Sequence, residues 1–530
     1  MTLSFIEAEA RLLAIDPGKW DLTLERLRAV CAHLGNPQDA APCIVVGGSN
    51  GKGSAITFLA SVLAAADEPV PGADFAGGRM EREVHVEDVA TEWHYDVFDR
   101  ARAAESREIA RARALFTARG ARALKVGSFI KPHIFTIRER ARINGEPISE
   151  MEFARAADEA FAACEQTGIQ LTFFELTFLI AALAFRSAGC DLAIYEVGIG
   201  GRFDAVNVCT PFLSVITNVG ADHEKYLGST ARKQAYEKAG IIPESGIVVW
   251  GGIASAASDD ADDKVVASEA DEVIASEAEL KNAALIRVRR TFQHVRYDYA
   301  FDRQKVALLM TDLAALYGRA VMENERVFSI DQLGAYQSAN LDCTLYALYA
   351  LKALGLDLGV HRFRSGLYKT NYRGRFELML RLDTRVILDA AHNPDGLKHL
   401  RKSVEMYMGP LYNFDPELIK VPTVFSCQEG KDVARSLVEI APVVRSLHPV
   451  TVEVLKPMDA RAIATAARSL GMDAVAAGSV NGALAACERS LLPNRTLLVC
   501  GSVYSLAAVY AALDRNCYER RCCEFNTGFM

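Results

Sequence analysis

Residues 43–54 read Cys-Ile-Val-Val-Gly-Gly-Ser-Asn-Gly-Lys-Gly-Ser, and residues 55–66 continue Ala-Ile-Thr-Phe-Leu-Ala-Ser-Val-Leu-Ala-Ala-Ala. An apolar β-branched run, a glycine-rich loop and a helix-compatible stretch follow one another, which predicts strand, loop and helix. That grammar builds a phosphate cradle. Gly48, Gly51 and Gly53 let the backbone N–H groups of the loop, those of Ser49 and Asn50 included, approach phosphate oxygens, and the helix N-terminus adds a positive dipole. Lys52 can reach the β- and γ-phosphates and Ser54 can meet Mg²⁺. The common phosphate-loop pattern places a glycine five residues before Gly51, where this chain has Val46, so the strand-loop-helix context carries the assignment.

Further runs of the same kind are LAIYEVG from Leu192, LSVITNVG from Leu213 and GIVVW from Gly246. They are apolar throughout rather than alternating, which predicts parallel strands covered by helices on both faces, a doubly wound α/β sheet. A second set follows Tyr372: RVILDAAH, TVFSC, TVEVL and RTLLVCGS. The joint falls between Gly355 and Arg375, giving two α/β domains: residues 1–368 as a P-loop ATPase-like doubly wound sheet, and 369–530 as a smaller Rossmann-like domain. Two segments interrupt the rhythm, at about 67–123 and 251–280. The second carries nine acids against Lys264 alone. Both are expected to be surface insertions with solvated charged faces.

Composition narrows the class. With 530 residues, half of them hydrophobic, and a net charge of −8, the chain can bury a large core and lacks the basic balance of a nucleic-acid binder. The most apolar stretches, Leu176–Phe185 and Leu497–Leu513, are shorter than the ~20 residues of a membrane span. Twelve cysteines without a Cys-x-x-Cys pair or zinc spacing suit reduced core thiols and a reducing compartment. Glu7 and Glu9 argue against a transit peptide, and the N-terminus lacks the apolar run of a signal peptide. Cytoplasmic location is expected, with a mitochondrial pool left open.

In a parallel sheet the carboxyl ends of strands face the ligand crevice. Glu196 closes LAIYE, and Asp222-His223 follow the next apolar run in the same way. A carboxylate or imidazole so placed can hold the metal that bridges nucleotide phosphates, although each taken alone also reads as a satisfied strand end. In the second domain Arg375, Asp389 and His392 project from another strand-to-turn junction. They suit either phosphoryl transfer completed on domain closure or an interdomain salt bridge.

The ordered motifs GGSNGKGS, KPHIFTIRERARINGEPIS, TFFELTFLIAALAF, YEVGIGGRFDAVN, ITNVGADHEKYLGST, EKAGII, YQSAN, GRFE and LDAAHNP closely resemble folylpolyglutamate synthases and dihydrofolate synthases of the Mur ligase superfamily. The resemblance implies an ATP-dependent amide ligase. ATP would phosphorylate the γ-carboxyl of a folate glutamate, and the amine of L-glutamate would displace phosphate from the acyl phosphate. It further implies that Gly48 to Ser54 bind ATP, with Lys52 acting in catalysis, and that Ser54, Glu196 and His223 ligate Mg²⁺. Lys238 matches a lysine carbamylated in relatives, Asn340 and Arg375 match nucleotide contacts, and Asp389 and His392 match active-site residues of the C-terminal domain, Asp389 on the nucleotide side as well. A monovalent cation is a further candidate cofactor. The expected partners are folate and L-glutamate, with no nucleic acid and no membrane, for a monomer.

Three positions depart from the family. Lys131 stands where Ser-Pro-His is usual and the serine is a metal ligand; Tyr336 replaces a histidine; Ala390 replaces a glycine. An ammonium cannot ligate Mg²⁺, so Lys131 either neutralises phosphate itself or leaves a second metal site weak. Dihydrofolate synthase activity, alone or alongside, is the alternative within the class. A nucleotide-binding homologue that has lost ligation is the alternative outside it.

Overall fold

The computed structural model describes residues 3–16, 23–69, 83–84, 92–220, 227–252, 261–298, 303–308, 312, 316–317, 321–322, 326–381, 384–452, 456–491 and 495–515. Asp222 and His223 therefore lie outside the described residues, as does much of the expected insertion before residue 92. The chain divides into two compact units, residues 1–293 with 306–329 and 338–371, and residues 294–305 with 330–337 and 372–530.

The first unit is built on an eight-stranded sheet. Its strands are β1 (Cys43–Gly47), β2 (Val126–Phe129), β3 (Ala141–Ile143), β4 (Glu146–Pro147), β5 (Leu192–Glu196), β6 (Leu213–Ile216), β7 (Ile247–Trp250) and β8 (Ala284–Arg287). They lie in the order β4-β3-β2-β5-β1-β6-β7-β8. All neighbours from β2 to β8 run parallel, while β3 and β4 add an antiparallel edge. β1, β5, β6 and β7 are buried at every residue, as their continuous apolar runs require. Because β1 is flanked by β5 on one side and β6 on the other, its carboxyl end opens at the reversal of strand order, where α/β sheets bind ligands.

β2 carries no continuous apolar run to mark it. β2 reads Val-Gly-Ser-Phe, and a Cβ on Gly127 would lie 2.6 Å from the Phe185 ring, so the glycine admits the helix α2 (Phe173–Ala188) close to the sheet. The acid-rich stretch contains the helix Ala261–Leu280, which joins β7 to β8 and buries Ala270, Ile274 and Ala278. The expected solvated face is thus only the outer side of a crossover helix.

The second unit holds a five-stranded sheet of β9 (Glu377–Arg381), β10 (Thr384–Leu388), β11 (Val421–Phe425), β12 (Val444–Pro449) and β13 (Thr496–Cys500), in the order β9-β10-β13-β11-β12. Only β9 is antiparallel. The strand expected in TVEVL is instead β12, which starts seven residues earlier: Thr451 and Val452 lie outside any strand, and residues 453–455 are not among those described. As an edge strand β12 is only partly covered, so its Val-Arg-Ser-Leu-His-Pro sequence lacks a continuous apolar run.

Candidate active site

The loop from Gly47 to Gly51 connects β1 to the helix α1 (Lys52–Ala64), most of whose residues are buried. Gly51 caps the helix at φ +83°. The loop is pinned from the end of β6: Asn218 Oδ1 accepts the N–H groups of Ser49 (3.0 Å) and Asn50 (2.9 Å), and the Thr217 hydroxyl donates to the Asn50 carbonyl (2.6 Å). Ser49 Oγ donates to the Gly220 carbonyl (2.8 Å) and accepts the Gly220 N–H (2.9 Å). Lys52 is buried, with Nζ donating to the carbonyls of Gly48 (2.7 Å) and Ser49 (3.0 Å).

Gly48 shows why this loop must be glycine-rich. It has φ +136°, and a Cβ there would lie 2.0 Å from Thr217 Oγ1. Gly48→Ala is therefore expected to lower stability by at least about 1–3 kcal/mol, the scale of local backbone strain, measured as a fall in the denaturant midpoint. An unchanged midpoint would refute this account of the loop.

Asn340, on the helix α4 (Gln337–Ala353), packs on the same loop: its Oδ1 lies 2.2 Å from the position a Cβ on Gly51 would take. The helix is held by Asp342, which accepts the N–H and hydroxyl of Thr291 and the N–H of Phe292. Burial pushes the Asp342 carboxyl up to about 6 against those bonds.

Glu196 pairs with Val46 in the β5–β1 register and so ends its strand beside the loop. It is 3% exposed, and among the described residues it has no ion-pair partner. One oxygen accepts the Lys131 N–H at 2.9 Å, next to a cis Lys131–Pro132 bond. A buried carboxylate with its charge uncompensated by a side chain fits a hard divalent cation. Among the described residues no group of three His, Cys, Asp or Glu is arranged so that it could hold a metal ion. Ser54 is buried in the first turn of α1.

Lys131 Nζ donates to the Gly198 carbonyl at 2.8 Å, so its ammonium is tethered to the turn after Glu196. Asp204, which the sequence reading passed over, shapes that turn by accepting the N–H groups of Ile199 (2.8 Å) and Val206 (3.1 Å). Burial raises its carboxyl to about 6. His133 Nδ1 accepts from Arg140 Nε at 3.0 Å, and burial plus that guanidinium depress its pKa to about 3, keeping the ring neutral. Lys238 is buried in the last turn of the helix α3 (Ala231–Ala239), where a Cβ on Gly201 would meet the Glu237 and Lys238 carbonyls at 2.9 and 3.1 Å.

The second unit assembles its own cluster. Asp389 follows β10 and is buried; Oδ2 accepts the Tyr336 hydroxyl (2.7 Å) and the Phe376 N–H (2.9 Å), and Oδ1 accepts the Ala391 N–H (2.8 Å). Burial raises its pKa, while the Tyr336 bond and the Arg375 charge oppose the rise. Phe376 holds φ +50°, an unusual conformation for an aromatic residue. His392 Nδ1 lies 2.9 Å from the Ala390 carbonyl, which assigns the Nδ1 proton and leaves Nε2 unprotonated in the neutral ring. Asn393 caps the helix Pro394–Met408.

The sequence thus pointed to the loop, Glu196, Asn340 and Asp389 but missed Thr217, Asn218 and Asp204. The polar pair Thr-Asn directly after an apolar strand was the available signal for the first two.

No protein-family model matches the chain. A probable bifunctional folylpolyglutamate synthase/dihydropteroate synthase of Haloferax volcanii is 26% identical over 94% of this chain, which spans about half (49%) of that relative's length. The dihydrofolate synthase/folylpolyglutamate synthase of Escherichia coli is also 26% identical, over 93% of this chain and 92% of its own. A solved structure of Escherichia coli FolC in complex with DHPP and ADP covers 97% of this chain and 98% of that one, at 24% identity and a TM-score of 0.70. Agreement along nearly the whole length, in ordered motifs and in fold, makes this chain similar to proteins named folylpolyglutamate synthase and dihydrofolate synthase.

Proposed function

We propose that the chain is an ATP-dependent, ADP-forming ligase that adds L-glutamate to the γ-carboxyl of folate glutamates. The observation that carries this reading is the pinned glycine loop, with Lys52 beneath it and the uncompensated Glu196 carboxylate one strand away. The amides of the α1 N-terminus cradle the nucleotide while those of Ser49 and Asn50 stay on Asn218 Oδ1, and Lys52 exchanges the carbonyls of Gly48 and Ser49 for phosphate oxygens. Ser54, Glu196 and His223 would hold Mg²⁺, which neutralises phosphate charge when bound. The folate carboxylate takes the γ-phosphoryl group, ADP leaves, and the glutamate amine attacks the acyl carbon with loss of phosphate. Nε2 of His392 takes the proton that the ammonium must shed, and Asp389 accepts from a substrate-side donor. Arg375 and Asn340 contact the nucleotide, and Lys238 is the site for carbamylation.

In this reading residues 1–368 form the ATP-binding part and 369–530 the glutamate-ligase part of a cytoplasmic monomer. The nine described cysteines are free thiols, and no helix among the described residues is long and apolar enough to cross a membrane. Dihydrofolate synthase activity is the second reading, favoured by the double name of the Escherichia coli relative. Incubation with ATP, Mg²⁺, labelled glutamate and either tetrahydrofolate or dihydropteroate tests both. Glutamate-dependent ADP release with labelled product is expected; ATP binding without turnover on either acceptor would overturn the ligase.

Lys131 supplies a separate test. If its tethered ammonium does part of the work of a cation, Lys131→Ser makes activity more dependent on Mg²⁺, because a hydroxyl helps only beside a bound ion. Paired Mg²⁺ titrations at saturating ATP decide this, and coincident curves would remove Lys131 from the site.

A further inference from the structure

Tyr336 lies in the 330–337 segment of the second unit, and its surroundings are built to hold it. A Cβ on Gly334 would lie 2.5 Å from two atoms of the Tyr336 ring, so only glycine lets the ring lie against that backbone. The buried Gln304 amide donates to the carbonyls of Gln332 and Gly334, and Gln332 Nε2 donates to the Tyr372 carbonyl at 3.3 Å. The Ala335 N–H donates to Ser403 Oγ at 3.0 Å. With the backbone that leads into it so fixed, the phenol reaches Asp389 Oδ2 at 2.7 Å.

A carboxylate offers about four acceptor directions. The Tyr336 hydroxyl and the Phe376 and Ala391 N–H groups take three. We propose that Tyr336 is a positioning residue for Asp389: its phenol fixes the plane of the carboxylate and leaves one acceptor direction, on Oδ1, for a donor of the substrate or nucleotide. This rests on the assignment of Asp389 to the active site.

Among the described residues, the charged and titratable groups that act on Asp389 are Tyr336, Arg375 and the Cys500 thiol. Tyr336→Phe removes a donor to the ionised carboxylate, so Asp389 holds its proton to higher pH. The acid limb of the kcat profile is expected to move up by about one pH unit, the scale of one hydrogen bond to a charged group. Activity recovers towards the alkaline side, and Tyr336→His, which keeps an N–H donor, restores part of the shift. A merely structural role would scale activity down equally at every pH.

Asp389→Asn separates the two possible failures. An active Asp389→Asn enzyme overturns the assignment of Asp389. An inactive Asp389→Asn enzyme together with a Tyr336→Phe profile that overlays the parent overturns the role of Tyr336 alone. A readout independent of turnover is the denaturation midpoint against pH: the parent's advantage over Tyr336→Phe is expected to grow as pH rises through the Asp389 titration, and a constant difference would refute the hydrogen bond to the ionised form.

Discussion

Lys52→Ala is expected to lower glutamate-dependent turnover by about two orders of magnitude or more while the protein remains folded, the scale of a single preorganised electrostatic stabiliser. Lys52 Nζ sits under the loop on the carbonyls of Gly48 and Ser49, so its charge is already desolvated and aimed before any phosphate arrives. The two carbonyls it leaves can turn to water. Steady-state ADP release measures the effect, with a melting curve to show that the fold persists. Near-parental turnover would mean that the loop binds something other than the reacting phosphates.

Glu196→Gln is expected to raise the Mg²⁺ concentration for half-maximal activity by about tenfold or more, because a neutral amide is a poor ligand for a hard cation. The substitution keeps the size of the side chain, and the amide oxygen can still accept the Lys131 N–H. Structure around β5 is thereby preserved and the charge alone is lost. Relieved of a buried negative charge, the variant is expected to be at least as stable as the parent without metal. A Mg²⁺ titration that overlays the parental curve would place the ion elsewhere.

The parts of this molecule that could be read from sequence are those where one local signal dominates. β1, β5, β6 and β7 are covered on both faces, so hydrophobicity alone marks them. β2 was hidden because Gly127 answers to the Phe185 ring rather than to strand propensity. β12 was hidden because it is an edge, where half-exposed positions break the apolar run. In the site, Lys52 and Glu196 follow from chemistry at strand ends. Thr217 and Asn218 act on the backbone of a distant segment, the loop after β1, whereas Asp204 shapes its own turn through Ile199 and Val206 inside a glycine-rich run whose other signals drew the reading. Tyr336 read only as a departure from a family pattern; its link to Asp389 spans 53 residues.

The second unit is assembled from three separate stretches of chain, 294–305, 330–337 and 372–530. A gene fragment starting at Tyr372 would encode all five strands of its sheet yet omit Gln304, Gln332 and Tyr336. Dissection at a single linker therefore yields a truncated half whose Asp389 has lost its phenol donor. Any split version of this protein, for complementation assays or for swapping one half between relatives, has to carry the two short stretches along with the long one.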